Sequence, residues 1–314
     1  MSALHRRTPL LHSPALSRAS GSDVRVKLES VQPAGSFKIR GIGHACRTYV
    51  ERGAAHLVAS SGGNAGLAVA HAGRKLGVPV TVVVPESTTE RAKELIRQEE
   101  AEVIVEGASW NEAHEHALTL MGDDAAYLHP FDDALLWEGH STIVDEVVEE
   151  GVEPEAIVVS VGGGGLFCGV VQGLRRHGWS EVPVVAVETE GTRSLRAALE
   201  AGHPAPLGAI ASVATSLGAK QVGEQTFTLA QEHPTKSVVV SDDAAVTACI
   251  RFLDDHRQLV EPACGAALAV AYDNPEVLSD AGTVVLIACG GAGVTLEKLR
   301  QWHGREELPT SREQ

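Results

Sequence analysis

In this 314-residue chain the residues whose types and spacing could do chemistry are one lysine and three glycine-rich turns. Lys38 stands in "SVQPAGSFKIRG" (Ser30–Gly41), between Phe37 and Ile39, with Gly35 and Gly41 bracketing the group. A lysine on a surface helix keeps its ammonium on a polar face. One held among apolar residues and permissive glycines can be neutral enough to attack a carbonyl. The turn "SSGGNAG" (60–66) follows an apolar run and precedes a helical one. Ser60 and Ser61 can cap, Gly62 and Gly63 expose backbone amides, and Asn64 offers a side-chain donor at the positive end of the helix. Alone, it could equally be a plain capped turn. "SVGGGGLFCG" (160–169) sets four glycines in a row, Gly162 to Gly165, after an apolar strand. Such a run calls for close backbone approach to a ligand, and a phosphate at a helix N-terminus fits. In "IACGGAG" (287–293), Cys289 ends the last strong apolar run beside two glycines, where a thiol can face a ligand cleft. A cysteine in such a place is more often a small buried hydrophobe.

A rival fits the second turn. Gly163, Gly165 and Gly169 match a relaxed GxGxxxG, and Glu188 closes the following strand, as in dinucleotide-binding units. From this segment alone a nicotinamide cofactor is as good as any other phosphate ligand. A carbonyl-attacking lysine plus a phosphate cradle suits a cofactor with both an aldehyde and a phosphate, pyridoxal 5′-phosphate (PLP). A dinucleotide would leave Lys38 and the asparagine turn without a role.

These turns must be positioned by strands and helices. β-Branched runs at 24–28, 56–60, 80–84, 102–105, 156–161, 182–188, 236–241 and 283–289 read as strands, several apolar on both faces. Helical segments are expected near 38–52, 64–76, 88–99, 109–121, 134–150, 165–177, 242–256 and 291–302. The alternation predicts an α/β fold with parallel sheets flanked by helices, and ligands bind beyond the carboxyl ends of such strands. Strand groups before and after residue 135 predict two sheets. The polar ends, 1–7 and 304–314, are expected to fray.

A formal net charge of −15 argues against nucleic acid or an anionic membrane as partner. Cysteines at 46, 168, 249, 264 and 289 show no metal-ligand spacing and suit a reducing cytoplasm. All but Cys289 read as packing residues. No signal peptide and no membrane span are expected. His114 and His116 lie two apart on a helix and read as a solvated face, not a metal pair. Trp110, Trp137, Trp179 and Trp302 show no stacking pattern.

"SFKIRG", "SSGGNAG", "SVGGGGL" and "ACGG" occur in the order found in fold-type II PLP enzymes. With "TPLLHSPALS" (8–17), "PFDDALLWEGH" (130–140) and "LVEPACGAAL" (259–268), the chain resembles the serine/threonine dehydratases over nearly its whole length, in particular the short L-serine dehydratases and serine dehydratase-like proteins. The resemblance implies two domains, each a mostly parallel twisted sheet flanked by helices, as in the tryptophan synthase β-subunit. Residues 1–38 and 134–314 would form a large PLP-binding catalytic domain and 39–133 a small one, with the active site in the cleft between them. It further implies that Lys38 bonds to the cofactor aldehyde and later takes the Cα proton. Phe37 would lie against the pyridine ring and Asn64 would bond its 3′-oxygen. Ser61, Gly62, Asn64 and Ala65 would hold the substrate. Gly162, Gly163, Gly164, Gly165 and Leu166 would cradle the phosphate, and Cys289 would meet the ring nitrogen as a neutral partner. Gly162, Glu188, Thr192, Leu217 and Ala219 would hold a monovalent cation, K+.

The implied activity is β-elimination of L-serine to pyruvate and ammonia, and of L-threonine to 2-oxobutanoate and ammonia, by a cytoplasmic homodimer. Position 62 departs from the dehydratase pattern. Racemases of this fold carry serine there and dehydratases commonly alanine; serine dehydratase-like proteins carry glycine. Gly62 thus removes a second base for racemisation and predicts a looser pocket. A weakly active or non-catalytic PLP-binding protein, a dehydratase of another 3-hydroxyamino acid, and a β-replacement enzyme of the cysteine synthase kind stay as alternatives. No regulatory domain is expected.

Overall fold

The computed structural model describes residues 3–303. Of the polar ends expected to fray, residues 1–2 and 304–314 lie outside that range. The strands in chain order are β1 (Leu10–His12), β2 (Asp23–Leu28), β3 (His56–Ala59), β4 (Val80–Val84), β5 (Glu102–Val105), β6 (Ala125–Leu128), β7 (Ala156–Ser160), β8 (Val184–Thr189), β9 (Thr235–Val240) and β10 (Thr283–Ala288). The chain divides into two compact units. Among the described residues the smaller takes 3–6 together with Gln32–His140; the larger takes Arg7–Val31 and 141–303. In this division Phe37 and Lys38 stand in the smaller unit, whereas the family resemblance sets a boundary after Lys38.

The smaller unit is built on a four-stranded sheet in the order β5-β4-β3-β6, parallel throughout. Every residue of β4 is buried, as expected of a central parallel strand. Val58 of β3 and Val83 of β4 pack with Ala113 and Ala117 of the helix Trp110–Thr119. The helices Lys38–Glu51 and Asn64–Leu76 pack against each other. The helix Lys38–Glu51 also meets the start of the helix Ala134–Glu149 at a glycine-only contact. A Cβ on Gly41 would lie 2.4 Å from Leu136 O, and one on Gly139 2.4 Å from Arg40 O.

The larger unit holds a six-stranded sheet in the order β1-β2-β10-β7-β8-β9, parallel except for the β1–β2 pair. This corrects the expected grouping of strands by their position before or after residue 135. β2 pairs with β10, from Thr283↔Asp23 to Ala288↔Leu28, and so joins the second sheet. Its alternate residues Val24 and Val26 are fully buried, and Lys27 is buried as well. Lys27 Nζ donates to Glu146 Oε2 at 2.5 Å and to Thr8 O at 2.7 Å, which satisfies a buried ammonium that would otherwise be costly.

β1 and β6, and the helices Pro14–Ser20, Ser194–Ala201, Glu224–Glu232 and Pro262–Asp273, were not expected from the sequence. The final helix is shorter than expected, Leu296–Trp302.

Gly139→Ala is expected to lose about 1–3 kcal/mol of stability by overpacking, because its Cβ meets backbone atoms that cannot rotate away. Denaturant unfolding of the variant against the parent checks it.

Candidate active site

In the smaller unit Lys38 is the first residue of its helix, and Phe37 is the N-cap with no side-chain cap bond. Both are half-buried. Lys38 Nζ donates to Pro130 O at 2.5 Å and lies 5.2 Å from the centre of the Phe37 ring. Behind that ring stands His140, with ring centres 4.8 Å apart at 56°. His140 is fully buried and its Nδ1 accepts the Gly41 N–H at 3.2 Å, so its proton is assigned to Nε2, which has no hydrogen-bond partner. Burial, then the Lys38 and Arg40 cations, hold His140 well below the usual histidine range, so it is neutral. The motif "PFDDALLWEGH" contained this residue, but only proximity reveals its place against Phe37.

Pro130 is itself held by a turn. His129 Nδ1 accepts the Asp132 N–H at 2.8 Å and the Phe131 N–H at 3.3 Å, bonds open only to a neutral ring. Burial, with the His114 and Lys38 charges adding, pulls the His129 pKa down to about 4.

The second turn of this unit runs from β3 into the helix Asn64–Leu76, with Gly63 as N-cap and no side-chain cap bond. Ser61, Gly62 and Asn64 are partly exposed and Ala65 is buried. Ser61 Oγ accepts the Gly63 N–H at 3.3 Å. A Cβ on Gly66 would fall 1.8 Å from Ser61 O, so only glycine lets the helix start pass that carbonyl. The strand end is fixed by Ser60 Oγ bonded to Tyr127 Oη at 2.6 Å, and Tyr127 Oη to His114 Nδ1 at 2.8 Å. This corrects the reading of His114 as a solvated residue. Trp110 also has a stacking partner after all, since it lies on His114 with ring centres 5.0 Å apart at 4°. Among the described residues no group of three or more His, Cys, Asp or Glu could hold a metal ion.

In the larger unit the glycine run follows β7 and opens the helix Gly165–Arg176. Gly164 is the N-cap at φ +95°, without a side-chain cap bond, and its Cβ would lie 2.1 Å from Thr226 Oγ1. Thr226 Oγ1 donates to Gly163 O at 3.2 Å, and Gly223 N–H donates to the same carbonyl at 3.1 Å. A Cβ on Gly162 would meet Leu217 Cα at 2.9 Å, so this expected cation pair is adjacent. The braced loop leaves amides at the positive end of a helix, a donor set that matches a phosphate.

Glu188, near the end of β8, is fully buried. Its two oxygens accept the Leu195 N–H at 2.7 Å and the Arg196 N–H at 2.8 Å. A carboxylate so engaged caps the helix Ser194–Ala201 and does not present itself to a ribose, which removes the dinucleotide reading. Burial pushes its pKa up to about 7, against the pull of those bonds. The Thr192 hydroxyl turns to Thr189 Oγ1 at 2.9 Å, and Ala219 N–H donates to Leu217 O at 2.8 Å.

Cys289 follows β10, the strand beside β7, and is buried. A hydrogen bond with Cys264, then burial, raises its pKa well above the usual thiol value, so the thiol is neutral. Cys264, read from the sequence as packing, is therefore the group that Cys289 bonds. Taken unit by unit, the residues fit PLP in kind: the smaller unit offers a lysine beside an aromatic ring, and the larger a neutral thiol and a glycine turn in which a Cβ on Gly162 or Gly164 would collide with its neighbours.

The family model described as pyridoxal-phosphate dependent enzyme matches residues 1–290, and the chain belongs to that family. Its fold is that of the fold-type II members. An L-serine dehydratase/L-threonine deaminase of Homo sapiens is 49% identical, with 95% of this chain and 94% of that protein covered. A serine dehydratase-like protein of Mus musculus is also 49% identical, over 95% of this chain and 93% of that one. The crystal structure of a fungal L-serine ammonia-lyase from Rhizomucor miehei superposes with a TM-score of 0.91 at 38% identity, covering 96% of this chain and 98% of that one.

His129 supplies a pH test. Its pKa of about 4 lies below the ordinary value of 6.5, so its contribution to stability is present above pH 6.5 and lost as pH falls through 4. The melting temperature is expected to drop across that window. In His129→Asn, whose amide oxygen accepts the same N–H bonds without titrating, the drop should be shallower.

Proposed function

We propose that the protein is a PLP-dependent ammonia-lyase that converts L-serine to pyruvate and ammonia, and L-threonine to 2-oxobutanoate and ammonia. The observation that carries this is Lys38 at a helix start, with Nζ on the Pro130 carbonyl and Phe37 at its side, in a chain 49% identical to a protein named for these activities. Bound PLP would supply an aldehyde to join the substrate amine and a ring to withdraw electrons from Cα.

The chain's own residues would do the rest. Lys38 Nζ would carry the cofactor and, once displaced by the substrate amine, take the Cα proton as general base. Phe37 would support one face of the ring, held from behind by neutral His140. Asn64 would orient the ring through its 3′-oxygen. Backbone amides of Ser61, Gly62 and Ala65 would bind the substrate carboxylate, and those of Gly162 to Leu166 the phosphate. Neutral Cys289 would meet the ring nitrogen without an added charge, which favours elimination over routes that store an electron pair on the ring. In the net reaction the Cα–H and Cβ–O bonds break and water leaves. The resulting enamine takes up one water and releases ammonia, so atoms balance.

The proposal extends to a monovalent cation, K+. A buried carboxylate with no ion pair among the described residues suits a cation as its counter-charge, and the Gly162 and Leu217 backbones lie close together to offer carbonyls. Thr192 and Ala219 complete the proposed set. It also places the enzyme in the cytoplasm as a homodimer. That all five cysteines are buried thiols supports a reducing compartment, and the family resemblance supports the dimer. No helix among the described residues is long and apolar enough to cross a membrane.

Lys38→Ala should lose about a thousandfold or more in pyruvate release from L-serine while still folding, as its melting temperature would show. Normal turnover in that variant would end the proposal. For the cation, KCl should raise the melting temperature above that in tetramethylammonium chloride of equal ionic strength. Glu188→Gln should abolish the difference.

A further inference from the structure

We propose that Thr88 positions the substrate carboxylate: its side chain fills the space that a side chain on residue 62 would occupy and walls the turn 61–65. The inference rests on the reading of that turn as the carboxylate site.

Thr88 lies in the connection after β4, where its N–H donates to Pro85 O at 3.0 Å. Next to it, Thr89 caps the helix Glu90–Gln98 by accepting the Ala92 N–H at 3.3 Å, so the connection is anchored at both ends. A Cβ on Gly62 would lie 2.5 Å from Thr88 Cγ2, 2.8 Å from Oγ1 and 3.3 Å from Cβ. Rotation about χ1 gives little relief, because two of the three staggered positions on a threonine carry heavy atoms and Cβ itself cannot move. The next residue is different. Around Gly63 the nearest heavy atom to a built Cβ is Ser61 Oγ at 3.9 Å. The crowding thus belongs to position 62 and comes from one residue more than twenty positions along the chain.

On this reading Gly62 does not leave the looser pocket expected from its missing side chain. The volume is filled, but from the neighbouring connection. The contact has a further consequence for binding. A glycine between two others that must present amides has more backbone freedom to lose than any other residue. A side chain packed against it removes part of that freedom before the substrate arrives, and small displacements of such groups are costly in binding and rate. Position 62 and position 88 therefore work as one unit, in which atoms beyond Cβ at 88 exclude a side chain at 62, whereas a methyl at both places needs only a small shift.

The test is a double-mutant cycle on the PLP-loaded full chain: parent, Gly62→Ala, Thr88→Ala, and both together. Three quantities are read: the melting temperature, the L-serine concentration that half-saturates the change in cofactor absorption, and pyruvate release. Gly62→Ala should lower the melting temperature and raise the half-saturating concentration. Thr88→Ala alone should raise that concentration about tenfold, through loss of positioning. Combining the two should restore most of both losses, since neighbours in contact are not additive. Thr88→Val, which keeps the methyl, should rescue binding where Thr88→Ser does not. Additive losses, or unchanged L-serine binding in Thr88→Ala, would overturn the inference. Failure of the ammonia-lyase reading looks different: the parent binds L-serine and the cycle stays non-additive, yet no pyruvate forms. A parent whose spectrum ignores L-serine overturns both.

Discussion

A Cβ on Gly164 would stand 2.1 Å from Thr226 Oγ1, one on Gly66 1.8 Å from Ser61 O, and one on Gly41 2.4 Å from Leu136 O. Each glycine sits at the N-cap or in the first turn of a helix that carries candidate chemistry. Steric closeness at helix starts is thus a constraint that recurs in each unit. Within each turn it leaves backbone amides uncovered where a side chain would block them, and a turn held this way would need little ordering to take an anion. The same closeness sets Lys38, since its helix can approach the segment bearing His140 only through Gly41 and Gly139.

Charge follows a consistent pattern around this frame. His140 and His129 are neutral because burial and nearby cations oppose protonation, and Cys289 is neutral because Cys264 and burial oppose ionisation. Neutral partners leave the polar work to backbone dipoles and to Lys38. Glu188 is the exception, a buried carboxylate whose pKa burial pushes up to about 7 against the pull of two helix N–H bonds and of the Arg196 and Arg193 charges.

Much of this was legible in the residues. Strands such as "VTVVV" and helices such as 64–76 and 242–256 were readable because their apolar period, β-branching and glycine punctuation agree. β6 was not, since "AAYL" has little strand preference and owes its state to pairing with β3. The helix Pro262–Asp273 is buried on every side and shows no amphipathic period to detect. At the site, Lys38, the asparagine turn and the glycine run stand out locally because glycine beside functional side chains is unusual. Thr88, Thr226, His140 and Cys264 act from distant segments on a turn or ring, and sequence spacing holds no trace of such contacts. Gly62 shows the limit most clearly: its lack of a side chain suggests space, and only its neighbour shows the space to be taken.

The central claim is that Lys38 carries the cofactor aldehyde. Borohydride reduction of the PLP-loaded protein, followed by proteolysis and mass spectrometry, tests it directly. The pyridoxyl label should fall on the peptide containing Lys38 and on no other lysine. A label on a different lysine, or none at all in a protein that has bound PLP, would contradict it.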